Sequence, residues 1–220
     1  TCGGFGMPRG QVSSERDEIA KDALTYVDYK NLPLVSTGCD SYASWDPKFK
    51  DLSPVKDIDT LVTELRALTP NGKWMQYNGN PVHLVITGGE PLLGWQRAYE
   101  ELLSDERMSD LENITFETNG TQKLQPRFKE YLLEWNKVGR DITFSVSPKL
   151  SASGESWSDA ICPDVVAEYE QFGHTYLKFV VDSERHFEEV DQAVSEYRSA
   201  GFRGVVFVMP LGSRSVTQLI

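Results

Sequence analysis

Thr87-Gly88-Gly89-Glu90-Pro91 follows directly on the apolar run Val82-His83-Leu84-Val85-Ile86. Such a run, rich in β-branched residues, reads as a buried parallel strand. Two glycines at its end leave bare backbone for a ligand to approach and permit positive φ. The carboxylate of Glu90, placed where the strand opens to solvent, suits a ligand carrying an ammonium group. Pro91 pre-sets the first turn of a following helix. Because Gly and Pro also punctuate ordinary βα turns, this motif alone favours function only modestly. Its companions are Gly38-Cys39-Asp40-Ser41, Glu117-Thr118-Asn119-Gly120, Ser147-Pro148-Lys149 and Lys178-Phe179-Val180-Val181. For Asn119-Gly120 a tight turn and a ligand contact are equally good readings. Lys178 within a strand also reads as a paired or snorkelling cation, and the Phe-Val-Val after it as core.

These motifs need elements to position them. Ile58, Leu61, Val62, Leu65 and Leu68 follow helical spacing up to Pro70-Asn71-Gly72. Strands are expected at 82–87, 113–116, 142–146, 176–181 and 205–208. Helices are expected from Leu92 to about Arg107, through Leu124, Phe128, Leu132 and Trp135, around 163–172, and through Phe187, Val190, Val194 and Tyr197. Asp182 or Ser183 is the expected cap of the last helix. Alternating strands and helices imply parallel pairing and right-handed crossovers, hence an α/β fold. Either a TIM-like barrel, complete or partial, or an open doubly wound sheet accommodates the pattern. In both, chemistry gathers at the carboxyl ends of the strands, where the polar motifs lie. No Gly-x-Gly-x-x-Gly opens a helix, which weakens a dinucleotide reading. Residues 3–31, Gly-rich and then charged, stand outside the alternation and read as an insertion or lid, with a short helix through Ile19, Ala23 and Val27.

The chain has 220 residues, 40% hydrophobic and 25% charged, enough for one domain with a sizeable core. A net charge of −11 argues against nucleic acid as a partner, since phosphate neutralisation needs clustered Lys and Arg. No apolar run is long enough to span a bilayer. Three cysteines do not make a disulfide framework, which points to a reducing cytoplasm. The opening at Thr1 without Met and the end at Ile220 read as fragment ends. His83, His174 and His186 show no metal-ligand spacing. Cys162 reads as a small buried residue, and Asp182, Glu184, Glu188 and Glu189 as a solvated acidic face. Nothing forms a nucleophile–base arrangement.

Taken together and in order, the five polar motifs resemble the 7-carboxy-7-deazaguanine synthases, a family of radical S-adenosylmethionine enzymes. The resemblance runs over roughly residues 36–210. It implies a partial TIM-like β/α barrel of the radical S-adenosylmethionine type. It also implies a [4Fe–4S] cluster held by cysteine thiolates, here Cys2 and Cys39, with residues 3–31 inserted in the cluster loop and a first cysteine upstream of Thr1. Ser41, in place of the family's threonine, becomes an Mg²⁺ ligand. The resemblance assigns Gly38, Asp40, Gly88, Gly89, Glu90, Asn119, Ser147, Pro148, Lys149, Lys178, Phe179, Val180 and Val181 to S-adenosylmethionine, and Thr87 to a pterin substrate. It implies conversion of 6-carboxy-5,6,7,8-tetrahydropterin to 7-carboxy-7-deazaguanine through a 5′-deoxyadenosyl radical. An electron donor such as flavodoxin and, by family habit alone, a homodimer are the implied partners. Two other readings stay open: an enzyme that installs a glycyl radical on a partner protein, and a non-catalytic relative that has lost the cluster.

Overall fold

The computed structural model describes residues 14–33, 41–44, 46–52, 55–181 and 183–210. Seven helices are found among them: α1 (Ser14–Lys21), α2 (Ile58–Ala67), α3 (Gln96–Leu103), α4 (Pro126–Lys137), α5 (Trp157–Ala160), α6 (Pro163–Tyr169) and α7 (Arg185–Ser199). The strands β1 (His83–Ile86), β2 (Asn113–Thr118), β3 (Asp141–Val146), β4 (His174–Val181) and β5 (Val206–Pro210) form one parallel sheet in the order β1-β2-β3-β4-β5.

That order follows the chain without reversal. Right-handed crossovers that all step the same way send every intervening helix to the same side of the sheet. The burial pattern agrees. Leu84, Ile114, Phe116, Ile142, Phe144, Val146, Leu177, Phe179 and Val181 are buried against the helices. The alternate residues Val85, Thr115, Glu117, Thr143, Tyr176 and Lys178 point the other way and keep some exposure. The crevice of a doubly wound sheet, which forms where strand order reverses, is not made by the described strands.

An aromatic stack fills the space between sheet and helices. Phe144 lies between Phe116, with ring centroids 5.7 Å apart, and Tyr169, at 4.6 Å. Phe128 of α4 meets Phe116 edge-on at 5.9 Å. Burying each such ring contributes about 1.5–3 kcal/mol. α4 presents Phe128, Leu132 and Trp135, spaced by four and three, and starts at Pro126, whose missing N–H costs nothing in a first turn. α2 is capped by Asp57, which accepts from the Thr60 N–H at 2.8 Å and the Thr60 hydroxyl at 2.9 Å.

Several elements differ from the sequence expectation. β1 is an edge strand with one buried face, so His83 is exposed and Val85 is 48% exposed despite the continuous apolar run. The helix expected from Leu92 begins only at Gln96, because Gly94 takes a left-handed conformation and Leu92 turns into the core. The apolar face of α7 is rotated. His186, Val190, Ala193 and Tyr197 are buried, whereas Phe187 is 51% exposed. Glu184, in helical geometry and without a side-chain bond, occupies the cap position expected for Asp182 or Ser183.

A second, smaller cluster gathers Ala20, Ala23, Tyr42 and Phe49, with Ile19, Leu32, Ala43 and Leu52 against them. Tyr42 donates to the Pro33 carbonyl at 2.9 Å and meets Phe49 edge-on. The segment 14–33 is thereby fastened to 41–52. Its helix stops at Lys21, and Val27 is left 90% exposed. Among the described residues no helix is long and apolar enough to cross a membrane.

Candidate functional site at the carboxyl ends of the strands

Gly38, Cys39 and Asp40 aside, the polar motifs meet along one edge of the sheet. Gly88 and Gly89 follow β1 with φ of +92° and +55°, the left-handed region that side chains resist. A Cβ on Gly89 would lie 3.4 Å from Ser44 Oγ, so the turn Tyr42–Ser44 rests on this bare backbone. Ser44 is itself held by Ser41, whose carbonyl accepts from the Ser44 N–H at 3.0 Å and its hydroxyl at 2.7 Å. Ser41 therefore lies next to the strand-end turn from which it is far in sequence.

Glu90 faces its neighbours. Its Oε1 accepts from the Thr118 hydroxyl at 2.6 Å and the Leu92 N–H at 3.1 Å, and its Oε2 accepts from the Asn119 N–H at 2.7 Å. The carboxylate thus ties the end of β1 to the end of β2. Its charge is felt nearby: burial first, and Glu90 second, push the Tyr169 and Tyr99 phenols well above their usual range. Tyr99 donates to the Pro91 carbonyl at 2.6 Å, and Tyr169 to the Gln122 carbonyl.

Asn119 forms a turn of its own, with Oδ1 accepting from the Thr121 N–H at 3.0 Å and hydroxyl at 2.7 Å. Gly120 must be glycine: φ is +79°, and a Cβ there would sit 2.6 Å from Val146 Cγ1. Ser147 donates its N–H to the Thr118 carbonyl at 2.8 Å, which carries the β2–β3 pairing one residue past the end of β3. Pro148 is buried, while Ser147 and Lys149 are partly exposed. On β4, Lys178 and Val180 lie on the side away from the helices. Phe179 and Val181, 0% and 8% exposed, are core. Their backbone lies at the strand end, but their side chains point into the helix layer.

The open face of the sheet is divided. Thr115, Glu117, Thr143 and Ser145 make β2 and β3 polar, with Thr87 just past the end of β1. Tyr176 and Phe207, edge-on at 5.4 Å, make β4 and β5 aromatic. Glu117 Oε2 accepts from the Thr87 hydroxyl at 3.3 Å, and Glu117 Oε1 lies 3.7 Å from Lys178 Nζ. This face offers a flat molecule an apolar surface on one side and hydrogen-bonding groups on the other.

Gly38, Cys39 and Asp40, and likewise Cys2, lie outside the described residues. Among the described residues no group of three or more His, Cys, Asp or Glu is placed to hold a metal ion. Cys162 is partly buried at the start of α6, its thiol pushed up by burial and pointing 3.8 Å from the Asp159 carbonyl. Grooves on the helical side are closed by ion pairs, Arg127–Glu100 at 2.6 Å between α3 and α4 and Lys129–Glu168 between α4 and α6, and read as helix seams.

Comparison of the whole chain adds one finding. It is 29% identical over 187 residues to a 7-carboxy-7-deazaguanine synthase of Pyrobaculum aerophilum, covering 84% of this chain and 69% of the relative. The chain is a relative of that synthase. No protein-family model matches it, and no solved structure matches it significantly. The resemblance read from five short motifs is therefore borne out across most of the chain.

Two positioning residues of this chain lie outside the sequence motifs. Gln96, 2% exposed, donates to the Leu92 carbonyl at 2.8 Å and the Lys123 carbonyl at 3.0 Å, and accepts from the Gln125 N–H at 2.7 Å. It stitches the loop after β1 to the loop after β2. Glu189, which the sequence pattern places on a solvated acidic face, binds the loop after β3 instead. Its oxygens accept from the Ser151 N–H at 2.9 Å and hydroxyl at 2.5 Å. A buried-side Gln at the start of an amphipathic helix is a faint signal for the first. Nothing local marks the second.

Proposed function

We propose that this chain is a radical S-adenosylmethionine lyase that converts 6-carboxy-5,6,7,8-tetrahydropterin to 7-carboxy-7-deazaguanine. The observation that carries the reading is the gathering of Thr87–Glu90, Glu117–Asn119, Ser147–Lys149 and Lys178 at one edge of a parallel sheet whose open face is half polar and half aromatic. The similarity to a synthase of that name supports it. The one-sided sheet, with no reversal of strand order, fits a partial TIM-like barrel.

The open face fits S-adenosylmethionine on its chemistry. Bare backbone at Gly88 and Gly89 and the carboxylate edge of Glu90 suit the methionyl amine, and Ser147, Lys149 and Lys178 suit ribose and adenosyl oxygens and nitrogens. Cys2 and Cys39 would be two of the thiolates that hold a [4Fe–4S] cluster, which would supply, with a flavodoxin-like donor, the electron for reductive cleavage of S-adenosylmethionine. The protein's own task is to bind, orient and exclude water. Thr87 would hold the pterin and the Ser41 hydroxyl an Mg²⁺ shared with the substrate carboxylate, since Mg²⁺ accepts few protein oxygens and keeps water and substrate for the rest.

The test uses full-length, anaerobically reconstituted protein. Turnover of carboxytetrahydropterin should rise with added Mg²⁺, and Ser41→Ala should blunt that rise while leaving cofactor cleavage without substrate largely intact. Product formation indifferent to both would remove the metal role. Cofactor cleavage with no pterin turnover would favour an enzyme that installs a glycyl radical on a partner protein.

A further inference from the structure

We infer that Ser145 is a substrate contact hidden beneath a displaceable ion pair, an inference that rests on the function proposed above. Ser145 is 1% exposed, and its hydroxyl has no hydrogen-bond partner. Three other buried polar atoms without partners occur among the described residues, Trp74 Nε1, Trp135 Nε1 and Tyr197 OH, and all belong to the core under the helices. Ser145 does not. Its neighbours Phe144 and Val146 point to the helices, so by strand alternation its side chain points to the open face.

The pairing register says what covers it. Ser145 is level with Glu117 on β2 and with Tyr176 on β4. Glu117 and Lys178 belong to strands separated by β3, yet their charges come within 3.7 Å. Lys178 is two residues beyond Tyr176, so the pair crosses β3 on the diagonal, from the level of Ser145 to that of Ser147. It is loosely made: 3.7 Å is a long contact, the Thr87–Glu117 bond is 3.3 Å, and the Glu117 side chain is 43% exposed. A half-exposed pair of this kind contributes little to stability, so a ligand with its own donors and acceptors can part it.

A buried hydroxyl left unpaired is unfavourable, and alanine would fill the same place without that penalty. The hydroxyl gains a partner if a ligand replaces the ion pair. Thr87, the residue assigned to the pterin, lies in the same row, two strands away, a span of roughly 10 Å. A fused two-ring heterocycle is about that long and carries donors and acceptors along its edge. Ser147, in the next row up, falls to the cofactor. The geometry thus assigns Ser145 to the pterin ring edge and leaves S-adenosylmethionine to the row above.

Ser145→Ala in the reconstituted full-length protein tests this, with the unreactive oxidised analogue 6-carboxypterin as probe. The ligand-free variant should unfold at the same or a higher temperature than the wild type. Its dissociation constant for 6-carboxypterin should rise roughly two- to tenfold, the worth of one hydrogen bond, while that for S-adenosylmethionine stays within about twofold. Unchanged pterin affinity, or a loss confined to S-adenosylmethionine, overturns the assignment. So does a lower unfolding temperature without ligand, which would give the hydroxyl a structural partner. A wild type that binds S-adenosylmethionine but no pterin overturns the assignment together with the proposed function. A wild type that binds both, alongside an indifferent variant, overturns this assignment alone.

Discussion

Two of the three hydrogen bonds to Glu90 join strand ends that are 28 or 29 residues apart in sequence. The sequence points to Glu90 as the partner of a ligand amine. The structure adds a tertiary role, because one carboxylate oxygen is the partner of the Asn119 N–H and the other of Thr118 and Leu92. Glu90→Gln sets an amide NH₂ against one of these donors. We expect it to lower unfolding free energy by about 1–3 kcal/mol, read from urea denaturation of the free protein. A change within experimental error would mean that the strand-end tie carries no stability. The sequence made the chemical type of this residue plain. Its partners were hidden because Thr118 and Asn119 reach it only through the pairing of β1 with β2.

Among the elements, the strands and most helices were legible from apolar periodicity, since one face of each must reach the core. There are exceptions: Gly94 delays α3, and α7 is turned by a fraction of a turn so that His186 and Ala193 are buried in place of Phe187. The attachment of loops was not legible. Glu189 on α7 fixes the loop that follows Ser147-Pro148-Lys149, through Ser151. Burial raises its carboxyl, but the Ser151 hydroxyl and N–H outweigh this, and His186 and Arg185 add to them, so its folded value lies below its ordinary one. A depressed folded value gives stability that is present above the unfolded value and lost as pH falls through the folded one. The stability difference between wild type and Glu189→Gln should hold at neutral pH, shrink below about pH 4.5 and vanish once Glu189 is protonated. Denaturation series across that range check this. A difference that persisted in acid would assign the effect to packing instead of charge.

At the scale of the whole molecule, the crossover helices among the described residues all lie on one side of the sheet, and the other face holds the polar strand-end motifs and an unpaired serine. Its apolar half continues onto β5, where Phe207 and Met209 remain partly exposed. The segment 14–33, legible from sequence only as an interruption, packs on 41–52, and 41–44 in turn rests on Gly89. The interruption is thereby coupled to the strand end through contacts that composition could not foretell. The most direct test of the account follows an isotope. Full-length reconstituted protein would be given S-adenosylmethionine, a reductant and carboxytetrahydropterin deuterated on its saturated ring. 7-Carboxy-7-deazaguanine should form, with deuterium recovered in 5′-deoxyadenosine. Cofactor cleavage that leaves the pterin intact and the 5′-deoxyadenosine unlabelled would contradict it.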